Sequence, residues 1–91
     1  MNKKRRDAIT KIIDQLISLN ETMTELQDQI DTIQSEEQES FDNLPESLQE
    51  AEKGQTMEAA IEALQEASEA VSRACEAIDE TNEALESAKG E

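Results

Sequence analysis

Residues 61–88 read IEALQEA, SEAVSRA, CEAIDET, NEALESA, one seven-residue phrase four times over. Each copy follows x-Glu-Ala-apolar-x-x-Ala, and Thr81 alone breaks the last column. A seven-residue period in an acidic, Ala-rich segment marks a helix that packs along another helix. Written as heptads abcdefg, the apolar column Leu64, Val71, Ile78 and Leu85 falls at d and extends back to Met57. Ile61, Ser68, Cys75 and Asn82 fall at a. Ala60, Ala67, Ala74 and Ala88 take g, and Ala63, Ala70, Ala77 and Ala84 take c. The pattern predicts a helix over about 57–88, with Thr56 as its cap and Glu58 favourable in its first turn. Small side chains beside the seam let a second backbone come close.

Upstream, the same period returns with larger side chains. Ile9, Ile12, Leu16, Leu19, Met23, Leu26, Ile30 and Ile33 alternate spacings of three and four. This places Ile9, Leu16, Met23 and Ile30 at a, and Ile12, Leu19, Leu26 and Ile33 at d, of a helix over about 4–40. Ile13 and Ile17 widen the stripe, as contact with more than one neighbour would require.

Between the two lies a connector, residues 41–56. Asp42-Asn43 followed by Leu44-Pro45 is turn chemistry, and Pro45 suits the first turn of a new helix. Pro45–Glu52 can form a short helix with Gly54 as its stop. Phe41, Leu44 and Leu48 are expected to fold over the end of the helical pair.

Two long helices of similar length joined by a turn predict one all-α domain over residues 1–91, an antiparallel two-helix coiled-coil hairpin. Such a hairpin has a thin core, and small domains of this kind usually need a prop. The expectation is a homodimer that closes a four-helix bundle.

The net charge is −15, unevenly spread. Residues 1–11 carry Lys3, Lys4, Arg5, Arg6 and Lys11 against Asp7, while the rest is strongly acidic. The body should repel nucleic acid and anionic membrane and attract basic surfaces. The basic cluster reads either as a short arm for an anion or as the partner of Glu80, Glu83, Glu86 and Glu91 on the second helix. Lys3–Arg6 has no apolar run behind it, so no signal peptide is expected, and no segment approaches membrane-spanning length. A cytoplasmic setting is expected.

Chemistry is harder to place. The chain has no His, one Cys and two Gly. That removes zinc sites, Glu-x-x-His di-iron designs, His-activated thiols and phosphate-cradling glycine loops. Cys75 sits at a seam position, where a small apolar thiol packs. The carboxylates around Glu36–Glu46 lack the calcium-loop pattern. No enzyme, cofactor or metal is expected. Asn82 and Ser68 read as register-setting polar residues in the seam.

The remaining feature is the acidic face. Glu62, Glu69, Glu76 and Glu83 line up at b, joined by Glu58, Glu66, Asp79 and Glu80. Ordinary coils mix Lys with Glu, and a purely solvating face would be less one-sided. These eight residues are the candidate docking surface for a protein partner with a basic surface.

The basic KKRR start, the Leu/Ile heptads, the connector FDNLPESLQ at 41–49 and the acidic Ala/Glu helix together resemble short acidic coiled-coil proteins encoded by phages and prophages of Gram-positive bacteria. That resemblance implies a host cytoplasm as the setting. It also implies inhibition of a host defence or nucleic-acid-handling protein, in some cases by imitation of DNA. The alternatives are a self-assembling structural coil, a scaffold or tether, and an adaptor that binds a partner helix through its apolar seam.

Overall fold

Asn2 opens the first helix: its side-chain oxygen accepts from the Arg5 backbone N–H at 2.9 Å, satisfying one of the orphan donors of the first turn. Helix α1 then runs Lys3–Asp42 without a break. In the computed structural model, which describes residues 1–90, it is followed by the single turn α2, Glu46–Gln49, and by α3, Glu52–Lys89. The described residues are otherwise turns and caps, and the molecule is a rod of 68 × 15 × 13 Å.

The two long helices run antiparallel. Asn20 Nδ2 donates to Asp79 Oδ1 at 3.1 Å, Gln27 Nε2 to Ser72 Oγ at 2.6 Å, and Gln34 Nε2 to Gln65 Oε1 at 3.4 Å. Each step of seven along α1 is a step of seven back along α3.

On α3 the sheltered positions are the expected ones. Met57, Ile61, Leu64, Val71, Cys75, Ile78, Asn82 and Leu85 are half-buried, and Ser68 is buried. On α1 the seam differs. Ile9, Leu16, Met23 and Ile30 at a are half-buried, but their companions are Ile13, Asn20, Gln27 and Gln34 at e. The d column expected in the seam, Ile12, Leu19, Leu26 and Ile33, stands exposed. Relative to the expectation, α1 is turned by roughly 50° about its axis, at about 100° per residue.

Polar matching accounts for the turn. The seam of α3 carries Ser68 at a, with Gln65, Ser72 and Asp79 beside it at e. Gln27 Nε2 reaches both the buried Ser68 and the half-buried Ser72, which a d column of Ile and Leu would leave without that partner; Gln65 and Asp79 are exposed, and their bonds to Gln34 and Asn20 add little. A hydrogen-bonding group buried without a partner costs about 1–3 kcal/mol, comparable with what an exposed Ile or Leu loses.

The connector also differs from expectation. Helix α3 begins at Glu52, five residues before the expected start, with Ala51 as its extended N-cap. Thr56 is therefore no cap; its hydroxyl donates back to Glu52 O at 3.0 Å inside the helix. Gly54 is not a stop either. It lies buried in the first turn of α3, where an added Cβ would sit 2.6 Å from the Gln49 Cα and closer still to its carbonyl. The glycine serves close approach of α2, not a change of direction. Gln49 in turn closes the corner, its Nε2 donating to Phe41 O and Leu44 O, each at 3.1 Å. The Phe41 carbonyl lies in the last turn of α1, where orphan acceptors need partners, and the Leu44 carbonyl lies just beyond its C-cap. Phe41 and Leu44 are half-buried there, while Leu48 points to solvent.

The core is correspondingly thin. Ile13 is the buried hydrophobic side chain among the described residues. The accessible surface is 6551 Å², against roughly 5,300 Å² for a compact monomer of this mass.

Candidate functional site

Glu58, Glu62, Glu66, Glu69, Glu76, Asp79, Glu80 and Glu83 are all exposed on α3. Their columns b, e and f lie together on one side of the helix. Glu62, Glu69, Glu76 and Glu83 follow one another at about 10.5 Å, the helical rise over seven residues. Glu69 Oε1 accepts from Gln65 Nε2 at 3.4 Å, and Asp79 is held at the seam edge by Asn20. A shallow depression lies among Asp79, Glu80, Glu83 and Glu86.

The cross-helix hydrogen bonds fix which sides of the helices adjoin. Position e of α1 meets e of α3 through Asn20–Asp79 and Gln34–Gln65. On the same flank Asp31, at b of α1, accepts from the Ser68 hydroxyl at 2.7 Å. The acidic columns of α3 therefore share a side with b and f of α1. Position f there carries Asp7, Asp14, Glu21 and Asp28, spaced by sevens like the glutamates of α3. These four belong to the acidic side, whereas the sequence expectation names only the denser acids of the second helix. Their regular spacing was the available signal.

The opposite side has a different character. There d and g of α1 adjoin g and c of α3. From Ala8 to Ile33 the α1 columns hold Ala8, Ile12, Gln15, Leu19, Thr22, Leu26, Gln29 and Ile33; from Thr56 to Ala88 the α3 columns hold Ala and Thr alone. No ionisable residue stands in either stretch. The rod is thus acidic on one side and neutral, partly apolar, on the other.

The acids are not neutralised internally. Among the described residues one ion pair forms, Lys89 Nζ to Glu86 Oε2 at 3.7 Å. Lys3, Lys4, Arg5, Arg6 and Lys11 are exposed. The expected pairing of this cluster with Glu80, Glu83 and Glu86 is not made, and Glu91 lies outside the described residues. Arg6 instead donates to the Met1 carbonyl, through Nε at 3.1 Å and through Nη2. Cys75 is a half-buried free thiol in the seam.

No group of three or more Cys, Asp or Glu among the described residues has the arrangement to hold a metal ion. No described helix is long and apolar enough to cross a membrane. Comparison with protein-family models, curated proteins and solved structures yields no match.

Proposed function

We propose that this chain is a non-catalytic binding protein whose acidic side docks a basic surface on another protein. The observation that carries this reading is the segregation of charge. Acids from both helices are gathered on one side with a single internal ion pair, while the other side carries no charge from Ala8 to Ile33 of α1 and from Thr56 to Ala88 of α3. Solubility alone needs no such sorting; a mixed surface would serve it.

The magnitude bears on what is imitated. A net charge of −15 spread along a 68 Å rod is one charge per roughly 4.5 Å, against about 1.7 Å for duplex DNA and about 3.4 Å for a single strand. The rod approaches the density of a single strand, so a groove that grips a phosphate backbone is the fitting kind of target. The resemblance to phage-encoded coiled coils supplies the setting: a host defence or nucleic-acid-handling protein in the host cytoplasm, inhibited by occupation of its basic groove.

The exposed Ile12, Leu19, Leu26 and Ile33 support a second reading, a self-assembling coil or an adaptor that works through apolar contact. Charge reversal of Glu62, Glu69, Glu76 and Glu83 to Lys separates the two. Affinity capture from host lysate, followed by binding measurements at rising salt, should give a target lost on charge reversal with helicity intact. Binding that stays flat between low and high salt overturns the electrostatic reading.

A further inference from the structure

We propose that the neutral side is a self-association surface, on which two copies pack antiparallel about a two-fold axis crossing α1 between Leu19 and Leu26. This deepens the reading of the chain as two-sided, but it does not depend on any target of the acidic side.

The exposed Ile12, Leu19, Leu26 and Ile33 form an apolar line with no partner in the hairpin. Beside them runs the alanine surface of α3. The combined face is about 40 Å long by the helical rise and about as wide as the rod, 15 Å. That is a projected area of roughly 600 Å², which side-chain relief brings near the ~800 Å² per partner of a standard stable interface.

Charge selects a second copy as the occupant. A basic partner is drawn to the acidic side. Another strongly acidic rod is repelled there, but meets no like charge on the neutral face. The arrangement also removes a defect of the single chain. Helix α1 has no acid in its first turn and no base in its last. Lys3, Lys4, Arg5 and Arg6 sit at the positive end of its dipole, and Glu37, Glu39 and Asp42 at the negative end, both unfavourable. Antiparallel pairing of α1 with α1 about that axis sets Lys3 and Arg6 level with the partner's Asp42 and the partner's Glu39. Both ends of both helices gain opposite charge. A parallel pairing would instead collect both basic starts at one end of the bundle.

The two halves of the face share one centre, as such an axis requires. On α1 the apolar line is centred between Leu19 and Leu26. The bonds Asn20–Asp79 and Gln27–Ser72 set that level opposite residues 72–79 of α3. There the alanine pattern, Ala67, Ala70, Ala74, Ala77 and Ala84 with Thr81 between the last two, reads alike in both directions about the point between Ala74 and Ala77. The isologous contact is then Ile and Leu against Ile and Leu on one edge, alanine against alanine on the other.

Sedimentation equilibrium and pulsed electron paramagnetic resonance test this on the full chain. The wild-type protein is expected at twice its 10.1 kDa mass at tens of micromolar. Leu19→Asp with Leu26→Asp, on positions already exposed, should return the monomer mass with unchanged helicity. Glu62→Lys on the opposite side should leave the dimer intact. For direction, a nitroxide at Ser35→Cys in a Cys75→Ser background should give a separation of about 40 Å across the axis, from about 1.5 Å per residue. A wild-type monomer at 100 μM, or a label separation near 20 Å from parallel copies, overturns the proposal. A dimer that binds no basic target would refute the function proposed above and leave this inference standing.

Discussion

Ile12 and Ile13 are neighbours in the chain and occupy opposite surroundings: Ile13 is 5% exposed beneath α3, and Ile12 is 45% exposed on the neutral side. One residue is about 100° on a helix, so a modest rotation decides which of the two is core. The observed rotation goes with the bonds that Gln27 makes to Ser68 and Ser72 in the seam, flanked by Asn20–Asp79 and Gln34–Gln65 at its edge.

The pair gives a direct prediction. Ile13→Ala should destabilise the fold by about 2–4 kcal/mol, as a buried methylene loss with a residual cavity. Ile12→Ala, measured in urea at submicromolar concentration, should cost under about 1 kcal/mol. Equal losses at that dilution would mean that the d column, not the e column, faces α3.

Gly54 and Gln49 give a second. Alanine normally improves a helix over glycine by about 1 kcal/mol. Here the added methyl meets the Gln49 backbone, so Gly54→Ala should lower stability by about 1–3 kcal/mol through overpacking. Gln49→Ala should cost about 1 kcal/mol by removing the bond to the Leu44 carbonyl and one of those to the Phe41 carbonyl, which keeps its backbone donor from Leu44. Thermal melts followed by circular dichroism read both, and a Gly54→Ala variant more stable than wild type would show that the corner can relax.

Asn82 gives a third. Its side-chain oxygen is buried and has no hydrogen-bond partner, as is also true of the Asn20 oxygen. Asn82→Leu at this a position removes the unsatisfied group and adds apolar contact, so the melting temperature should rise, by about 1–3 kcal/mol of stability. The cost should appear as lost specificity of alignment, the role polar seam residues play in coiled coils. Broadened amide resonances in a more stable variant would be the sign of it.

Periodicity carried the all-helical class and the α3 seam, because Leu64, Val71, Ile78 and Leu85 admit one apolar stripe. It could not choose the α1 seam. Ile12 and Ile13 are equally apolar there, and what distinguishes them is polar residues matched across thirty or more positions of chain, as in Gln27 with Ser72. The connector was misread for a related reason: Gly54 carries the composition of a stop signal, and its use as a contact point is visible only once Gln49 is placed against it. The eight acids of α3 were legible as a column, but their union with Asp7, Asp14, Glu21 and Asp28 required knowing which flanks of the two helices adjoin.

The unbalanced charge makes the last prediction. Glu58–Glu62, Glu62–Glu66, Glu76–Glu80 and Asp79–Glu83 are like-charge i, i+4 pairs, each unfavourable by about 0.2–0.5 kcal/mol. Acids one heptad apart, such as Glu62 and Glu69, add about 0.4 kcal/mol per pair in water without salt. With one compensating ion pair among the described residues, screening relieves far more repulsion than attraction. At 0.15 M ionic strength the Debye length is about 8 Å, shorter than a heptad repeat. The melting temperature should therefore climb steeply between 10 and roughly 150 mM sodium chloride, on the scale set by that screening length, and then flatten. A coil held by surface ion pairs would lose stability over the same range. Replacing Glu62, Glu69, Glu76 and Glu83 with Gln should raise the low-salt melting temperature and remove most of the salt response. A salt-independent wild-type melt would show that the acidic side carries counter-ions not supplied by the chain's own Lys and Arg.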